Sequence, residues 1–265
     1  MKAIAILYLS LLSLKASTQD SFVNKINLYE QQLKKLLVKN KLPSISFGVV
    51  KDHKLIYSNA IGFADMEKKI PATDTTLYSI ASLTKPMASS IILKLVEEGS
   101  LNLDDKMKDH WPGYTEYYSF FASKWKEETP QYLPYIQNYH YTRDDITIRH
   151  HLTHTAENIP GTKYRYNGFL FGGLSVIVDN VSKKNFITLM QEEIINKLKM
   201  SHSSVDFDNV IDSSLKKLLS TPYEEDDEEL HAAFYPQPHK LNAAAGFLSC
   251  VKDLAKFDIA LTWIR

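Results

Sequence analysis

Apolar residues near the start of the chain recur at helical spacing, with Phe22, Ile26, Tyr29, Leu33, Leu36 and Leu37 forming one stripe and lysines filling the positions between. This predicts an amphipathic helix. Asn40 ends the stripe and Pro43 blocks its continuation. The period then changes: Ser44–Val50 and Leu55–Gly62 are short β-prone runs, and the polar Lys51-Asp52-His53-Lys54 between them predicts a hairpin. A third apolar run, Leu77–Ala81, leads into Ser82, after which Met87, Ile91, Leu95 and Val96 predict a helix that stops near Gly99. Ser82 therefore falls near the start of a helix. Phe186–Met200 again has helical spacing, whereas the acidic run Glu224–Glu229 is expected to be a solvated loop. No internal repeat is evident.

The stretch from Trp111 to Tyr141 is crowded with aromatic residues, among them Tyr114, Tyr117, Tyr118, Phe121, Trp125, Tyr135 and Tyr139. Pro112, Pro130 and Pro134 exclude one long helix there. Two readings stand side by side: a subdomain that packs its own small core, or an aromatic wall lining a substrate cleft.

Composition narrows the class. The 265 residues are 44% hydrophobic and 23% charged, close to the globular average, which excludes a largely disordered or multi-span membrane protein. With 31 Lys+Arg against 31 Asp+Glu the formal charge is zero, so no nucleic-acid partner is implied. The length fits one large domain or one domain with a satellite. With 9 glycines in 265 residues, a glycine-rich array is also excluded. Cys250 is the only cysteine, so no intrachain disulfide can form, and it reads as a buried structural thiol rather than a nucleophile. Residues 1–16 read as a secretory signal: Lys2 supplies the charge, Ala3–Leu14 the apolar stretch and Ala16 a small residue for cleavage. That stretch is too short to span a bilayer. The expectation is an exported chain, periplasmic or secreted, with residues 17–265 as the folded domain; retention on an uncleaved anchor is the alternative.

Candidate chemistry begins at Ser82-Leu83-Thr84-Lys85. A serine becomes a strong nucleophile when a neighbouring base takes its proton, and lysine serves as that base when burial and a helix terminus lower its pKa. Residues i and i+3 of a helix share a face, so this hydroxyl and amine can meet locally. Spacing alone is weak evidence, because Ser123/Lys126, Ser213/Lys216, Ser214/Lys217 and Ser249/Lys252 share it.

Context distinguishes Ser82. Pro43–Asp65 resembles the opening hairpin of the serine β-lactamase and penicillin-binding protein family, in its class C β-lactamase and D-alanyl-D-alanine carboxypeptidase branch. Leu77–Pro86 (LYSIASLTKP) is similar to the family's nucleophile segment, and Leu93–Asp105 to the helix end and turn that follow it. Ile146–Thr155 and Ala243–Ala260 resemble its buried helix and its late glycine turn with the next helix. These blocks occur in the family's order and cover most of residues 43–260.

The resemblance implies that Ser82 is the acylated nucleophile, Lys85 its amine partner and Tyr166 the tyrosine that exchanges protons with nucleophile and leaving group. In the family that tyrosine opens a Tyr-x-Asn or Tyr-x-Gly motif; here Tyr166-Asn167-Gly168 places the asparagine one position early. Asn167 and Gly168 are expected to touch substrate. The family's third motif, Lys-Thr/Ser-Gly or His-x-Gly on a late strand, is found nowhere after Tyr166. By the resemblance, a chain ending at residue 265 lacks the later strands of the main sheet, leaves the first hairpin with an unpaired edge and an uncovered apolar face, and turns over poorly or not at all.

The implied fold is mixed α/β (α+β): a mainly antiparallel sheet flanked by helices, a mostly helical subdomain over about residues 100–200, and a cleft between them. The implied activity is acyl transfer from an ester or amide, whether β-lactam, D-alanyl peptide or small ester, with no cofactor. The partner is a small-molecule or peptide substrate, and no transmembrane segment is expected beyond the signal. Two other readings compete. His150 and His154 stand i and i+4, as zinc ligands on a helix often do, though no glutamate lies between them and no third ligand is identified. Alternatively, the fold binds peptide, peptidoglycan or another protein without catalysis, a reading favoured by the altered Tyr166-Asn167-Gly168 and the missing third motif and opposed by Ser82 and Lys85.

Overall fold

The amphipathic stripe becomes helix α1, residues 22–39, which buries Ile26 and Leu33. The computed structural model describes residues 22–205, 207, 210, 213–226, 229–233 and 240–262, so the expected signal segment lies outside the described residues. Asn40 closes α1 by donating its side-chain amide to Leu36 O at 2.8 Å, and the chain turns through Lys41 and Pro43 into strand β1 (Ser44–Lys51). β1 pairs antiparallel with β2 (Lys54–Asp65), Ser44 opposite Gly62 and Lys51 opposite Lys54. The connection is tighter than the predicted four-residue loop. Asp52 and His53 both take left-handed φ, 50° and 57°, a two-residue turn whose twist matches that of its strands. β3 (Ile70–Pro71) extends the sheet beyond β2.

A second small sheet ties the middle of the chain to its end. β4 (Tyr78–Ser79) pairs antiparallel with β7 (Leu248–Ser249), and the Tyr78 hydroxyl meets Ser44 Oγ at 2.9 Å, joining this ladder to β1. After β4 a 3₁₀ turn, Ala81–Leu83, opens helix α2 (Thr84–Glu97). Gly99, with φ +72°, follows its end as the sequence predicts.

The helical region then runs through α3 (Met107–His110), α4 (Tyr114–Glu127), α5 (Ile148–Leu152), α6 (Gly168–Gly172) and α7 (Leu174–Val181). α8 (Phe186–Leu189) widens into a π-helical segment, Met190–Asn196, and helix α9 (Val251–Thr262) follows β7. Among the described residues, no helix is long and apolar enough to cross a membrane.

Three expectations are corrected. The aromatic segment does not pack a core of its own: Trp111, Tyr114 and Tyr118 share one continuous core with Met87 and Ile91 of α2 and with Phe247 and Phe257 near the end of the chain. The acidic run is not an irregular loop. Tyr223–Asp226 (β5) and Glu229–Ala232 (β6) pair as an antiparallel hairpin, docked through the Tyr223 hydroxyl, which accepts the Met66 N–H at 2.7 Å; its acidic residues 224–226 are nevertheless exposed. Finally, the first hairpin is covered. Tyr29 of α1 meets Phe47 edge-on at 5.7 Å, while a Cβ added to the next residue, Gly48, would lie 3.2 Å from Val251 of α9. Successive strand residues face opposite sides, so α1 and α9 cover opposite faces. Among the described residues, the outer edge of β1 pairs with no other strand.

Candidate active site

The turn that presents Ser82 is strained locally and held from both sides. Ala81 has φ +45°, a conformation that costs a non-glycine residue about 1 kcal/mol or more and persists where its surroundings enforce it. Enforcement comes from the Ile80 N–H, which donates to Phe247 O at 3.0 Å, and from Thr84 Oγ1, which donates to Ala81 O at 2.7 Å. Because α2 begins at Thr84, Lys85 follows one turn after Ser82. Its side chain, on a residue only 8% exposed, donates from Nζ to Ser82 Oγ and to Ala244 O, both at 2.9 Å. Ala244 belongs to the turn before β7, where Asn242 Oδ1 accepts its N–H at 2.8 Å and Gly246 takes φ +107°. That glycine is required, since a Cβ there would come within 2.6 Å of Leu241 Cα.

The third group arrives from the chain segment between α5 and α6. The Tyr166 hydroxyl donates to Ser82 Oγ at 2.5 Å, and Lys85 Nζ lies 4.9 Å from the centre of the Tyr166 ring. Partial burial pushes the phenol's pKa up, but hydrogen bonding of its ionised form with Lys85 and Ser82 and the charge on Lys85 outweigh it and bring the pKa below its ordinary value. Ser82 Oγ thus accepts from an amine and a phenol at once, and Tyr166, on a residue 51% exposed, stays reachable from the cleft.

The structure separates the two residues expected to touch substrate. Gly168 lines the cleft, and a Cβ there would lie 3.9 Å from Lys85 Nζ. Asn167 does not line it, which corrects the expectation. It is 3% exposed and its amide is fully engaged: Nδ2 donates to Tyr135 O at 2.8 Å and to Glu157 Oε1 at 2.7 Å, while Oδ1 accepts the Leu170 N–H at 3.1 Å and caps α6. Its buried amide serves the fold.

The paired-histidine reading is corrected as well. α5 ends at Leu152, and His154 has φ +55°, so the two rings do not share a helical face. His150 Nδ1 accepts the Thr147 N–H at 3.1 Å in a capping arrangement. His154 Nδ1 accepts the Asn167 N–H at 3.2 Å, and its ring packs against those of Tyr166 and Phe171 with centroids 4.7 and 5.1 Å away. Burial and the charge of Lys85 lower its pKa, so the neutral ring is favoured. His154 belongs beside Tyr166, a place its helical spacing from His150 concealed. Among the described residues, His202, Cys250 and Asp253 bring ligand-type atoms within 4.8 Å of one another. The Asp253 carboxylate is already taken there, by the His202 N–H at 2.6 Å, Ser203 Oγ at 3.0 Å and Lys256 Nζ at 2.6 Å. Cys250 is buried, with its thiol pKa raised by that burial, the structural thiol the sequence suggests.

Ser82, Lys85 and Tyr166 open onto a cleft of about 440 Å³. Tyr117, Tyr135, Phe169 and Val176 form its apolar side, with the rings of Tyr117 and Phe169 stacked at 6.0 Å and 14°. The aromatic stretch is therefore divided: Tyr114, Tyr118 and Tyr139 are buried in the common core, while Tyr117 and Tyr135 face the cleft.

The family model described as Beta-lactamase matches residues 27–262. "Protein flp" of Staphylococcus aureus (strain N315) is 28% identical over 194 residues, 66% of this chain and 38% of the relative. A "Putative D-alanyl-D-alanine carboxypeptidase" of Escherichia coli (strain K12) is 27% identical over 185 residues, 61% of this chain and 43% of the relative. The chain thus spans about two fifths of the length of these relatives. Among solved structures, the octameric penicillin-binding protein homologue from Pyrococcus abyssi superposes with TM-score 0.67 at 24% identity, covering 88% of this chain and 55% of that one. The D-alanine carboxypeptidase AmpC from Burkholderia cenocepacia gives 0.64 at 20% identity, covering 87% and 62%. At these identities the structural likeness is one of fold.

Proposed function

The chain belongs to the Beta-lactamase family, whose model covers residues 27–262, and on that premise we propose that it is a serine hydrolase forming an acyl-enzyme on Ser82. One observation carries the reading: Tyr166 Oη and Lys85 Nζ stand 2.5 and 2.9 Å from the same Ser82 Oγ. In the proposed reaction the Tyr166 phenolate takes the Ser82 proton as Oγ bonds to an ester or amide carbonyl carbon. Lys85 holds Oγ in place from the other side. The carbonyl oxygen, now negative, accepts the Ser82 N–H of the turn before α2. Tyr166 then returns its proton to the departing alcohol or amine, and water releases the acyl group in a second step.

The substrate class follows from the same cleft. Its aromatic side favours a substrate with an apolar group next to the reacting carbonyl, whether a β-lactam, a D-alanyl peptide or a small ester. The carboxypeptidase name of the Escherichia coli relative supports the peptide option. The proposal includes export, on the strength of Lys2 and the apolar Ala3–Leu14.

Hydrolysis of p-nitrophenyl butyrate and of a chromogenic cephalosporin tests the reading. Release that disappears in Ser82→Ala and Lys85→Ala supports it, and rates unchanged in those variants overturn it.

A further inference from the structure

A carboxylate outside the reacting trio holds both neighbours of Tyr166. Glu157 is 2% exposed. Its Oε1 accepts Asn167 Nδ2 at 2.7 Å, and its Oε2 lies 3.0 Å from Arg165 Nε without an aligned hydrogen bond, an ionic contact rather than a directed one. Arg165 also donates to Pro134 O at 3.2 Å, and Asn167 to Tyr135 O at 2.8 Å, so the same grip reaches the loop that carries Tyr135 into the cleft. The backbone is pinned in parallel: the Arg165 N–H donates to His154 O at 2.8 Å and the Asn167 N–H to His154 Nδ1 at 3.2 Å.

These contacts form a lever. Asn167 is extended, with φ −145° and ψ 103°, and along an extended chain alternate side chains share a side while the one between them takes the other. Gripping residues 165 and 167 therefore fixes the side chain of residue 166 toward Ser82. A buried carboxylate is costly to desolvate and is retained where partners compensate it. Here those partners are the residues on either side of Tyr166.

We infer that Glu157 is a positioning residue for Tyr166, acting through Arg165 and Asn167 to hold the phenol on Ser82; this rests on the acyl-transfer reading above. Glu157 touches none of the reacting atoms. Its effect is to keep the 2.5 Å contact between Tyr166 and Ser82, and a displacement of about 1 Å in such a contact costs up to 10²-fold in rate.

The test compares the chain with Glu157→Gln, Glu157→Asp, Tyr166→Phe and the double variant Glu157→Gln/Tyr166→Phe. The rate of Ser82 modification by a fluorophosphonate probe is followed in each, with melting temperature measured alongside. The expected result is about a 10- to 10²-fold slower reaction in Glu157→Gln, partial recovery in Glu157→Asp, and a double variant no slower than Tyr166→Phe alone. A separate readout needs no reactivity: in protein carrying ¹³Cζ-tyrosine, the resonance lost in Tyr166→Phe reports the phenol's titration beside Lys85, Ser82 and His154. Glu157→Gln should move that titration to higher pH as Tyr166 leaves Lys85. A Glu157→Gln variant with unchanged labelling and unchanged titration overturns the inference, as does a double variant slower than Tyr166→Phe by the full factor of the single change. If the unaltered chain fails to label at Ser82, the acyl-transfer reading falls, while the phenol titration still decides whether Glu157 places Tyr166.

Discussion

Tyr166 and Ser82, 84 residues apart in the chain, bring their side-chain oxygens to 2.5 Å. Local geometry accounts for the Ser82–Lys85 pair, one helical turn apart. The phenol depends on the packing of the helical region against α2, and with it the site changes from a serine and an amine, a common coincidence in this sequence, to a hydroxyl facing two proton-exchanging groups.

The pH dependence of Ser82 reactivity should report this phenol. Lys85 and Ser82 hold its pKa below the usual tyrosine range, and the phenolate is the form that accepts a proton. Labelling by a fluorophosphonate should therefore rise with pH along a limb whose midpoint lies below that of free tyrosine, about 10. Tyr166→Phe should remove that limb and slow labelling by about 10² to 10⁴. A Phe variant that retains both the limb and the rate contradicts the assignment.

Fold stability should carry a separate pH signature from His151, which lies in the core at 1% exposure. Its Nδ1–H donates to Leu170 O at 2.8 Å, so Nε2 accepts the Tyr139 hydroxyl at 2.6 Å, and Tyr139 in turn accepts from Tyr114. Burial lowers its pKa from 6.5 to about 4, opposed by the Leu170 carbonyl. Between those values the unfolded chain binds more protons than the folded one. Stability from this group is therefore complete above pH 6.5 and is lost progressively as pH falls toward 4. The loss is on the order of 3 kcal/mol. Urea denaturation at pH 7 and pH 4.5 checks it: wild type should lose much more than His151→Gln, whose amide does not titrate, and equal losses would assign the effect elsewhere.

The aromatic side of the cleft should set substrate preference. Tyr117→Ala removes one ring of the stacked pair with Phe169. It should raise KM for p-nitrophenyl esters of aromatic or long acyl chains by about tenfold, a loss of apolar contact worth about 1 to 2 kcal/mol, and leave p-nitrophenyl acetate nearly unchanged. Equal effects on both esters contradict a specificity role.

What the sequence makes legible is what neighbouring residues decide. The α1 stripe, the first hairpin and the turn from Ser82 to Lys85 are local patterns, and each forms where the spacing places it. Tyr166 is found through family likeness rather than through spacing, because its partners lie far away in the chain. Asn167 is misread because the motif draws attention to its side chain, while the signal that mattered is the amide three residues before Leu170, an ordinary helix cap. The His150 and His154 spacing misleads because α5 stops at Leu152, and a left-handed φ at His154 turns its ring toward Tyr166. The acidic hairpin escapes notice because charge hides its strand pairing. Glu157 gives no local signal at all: its burial, and the two residues it grips, exist only once α6 and the loop of Tyr135 have packed.

The central claim is that Ser82 is an operable nucleophile, and its most direct measurement is intact-mass and peptide-mapping mass spectrometry after incubation with a fluorophosphonate probe. The account predicts a single adduct on the peptide containing Ser82, absent from Ser82→Ala and strongly reduced in Lys85→Ala and Tyr166→Phe. No adduct on the unaltered chain, or an adduct on another serine that persists in Ser82→Ala, would contradict it and favour a fold that binds its ligand without chemistry.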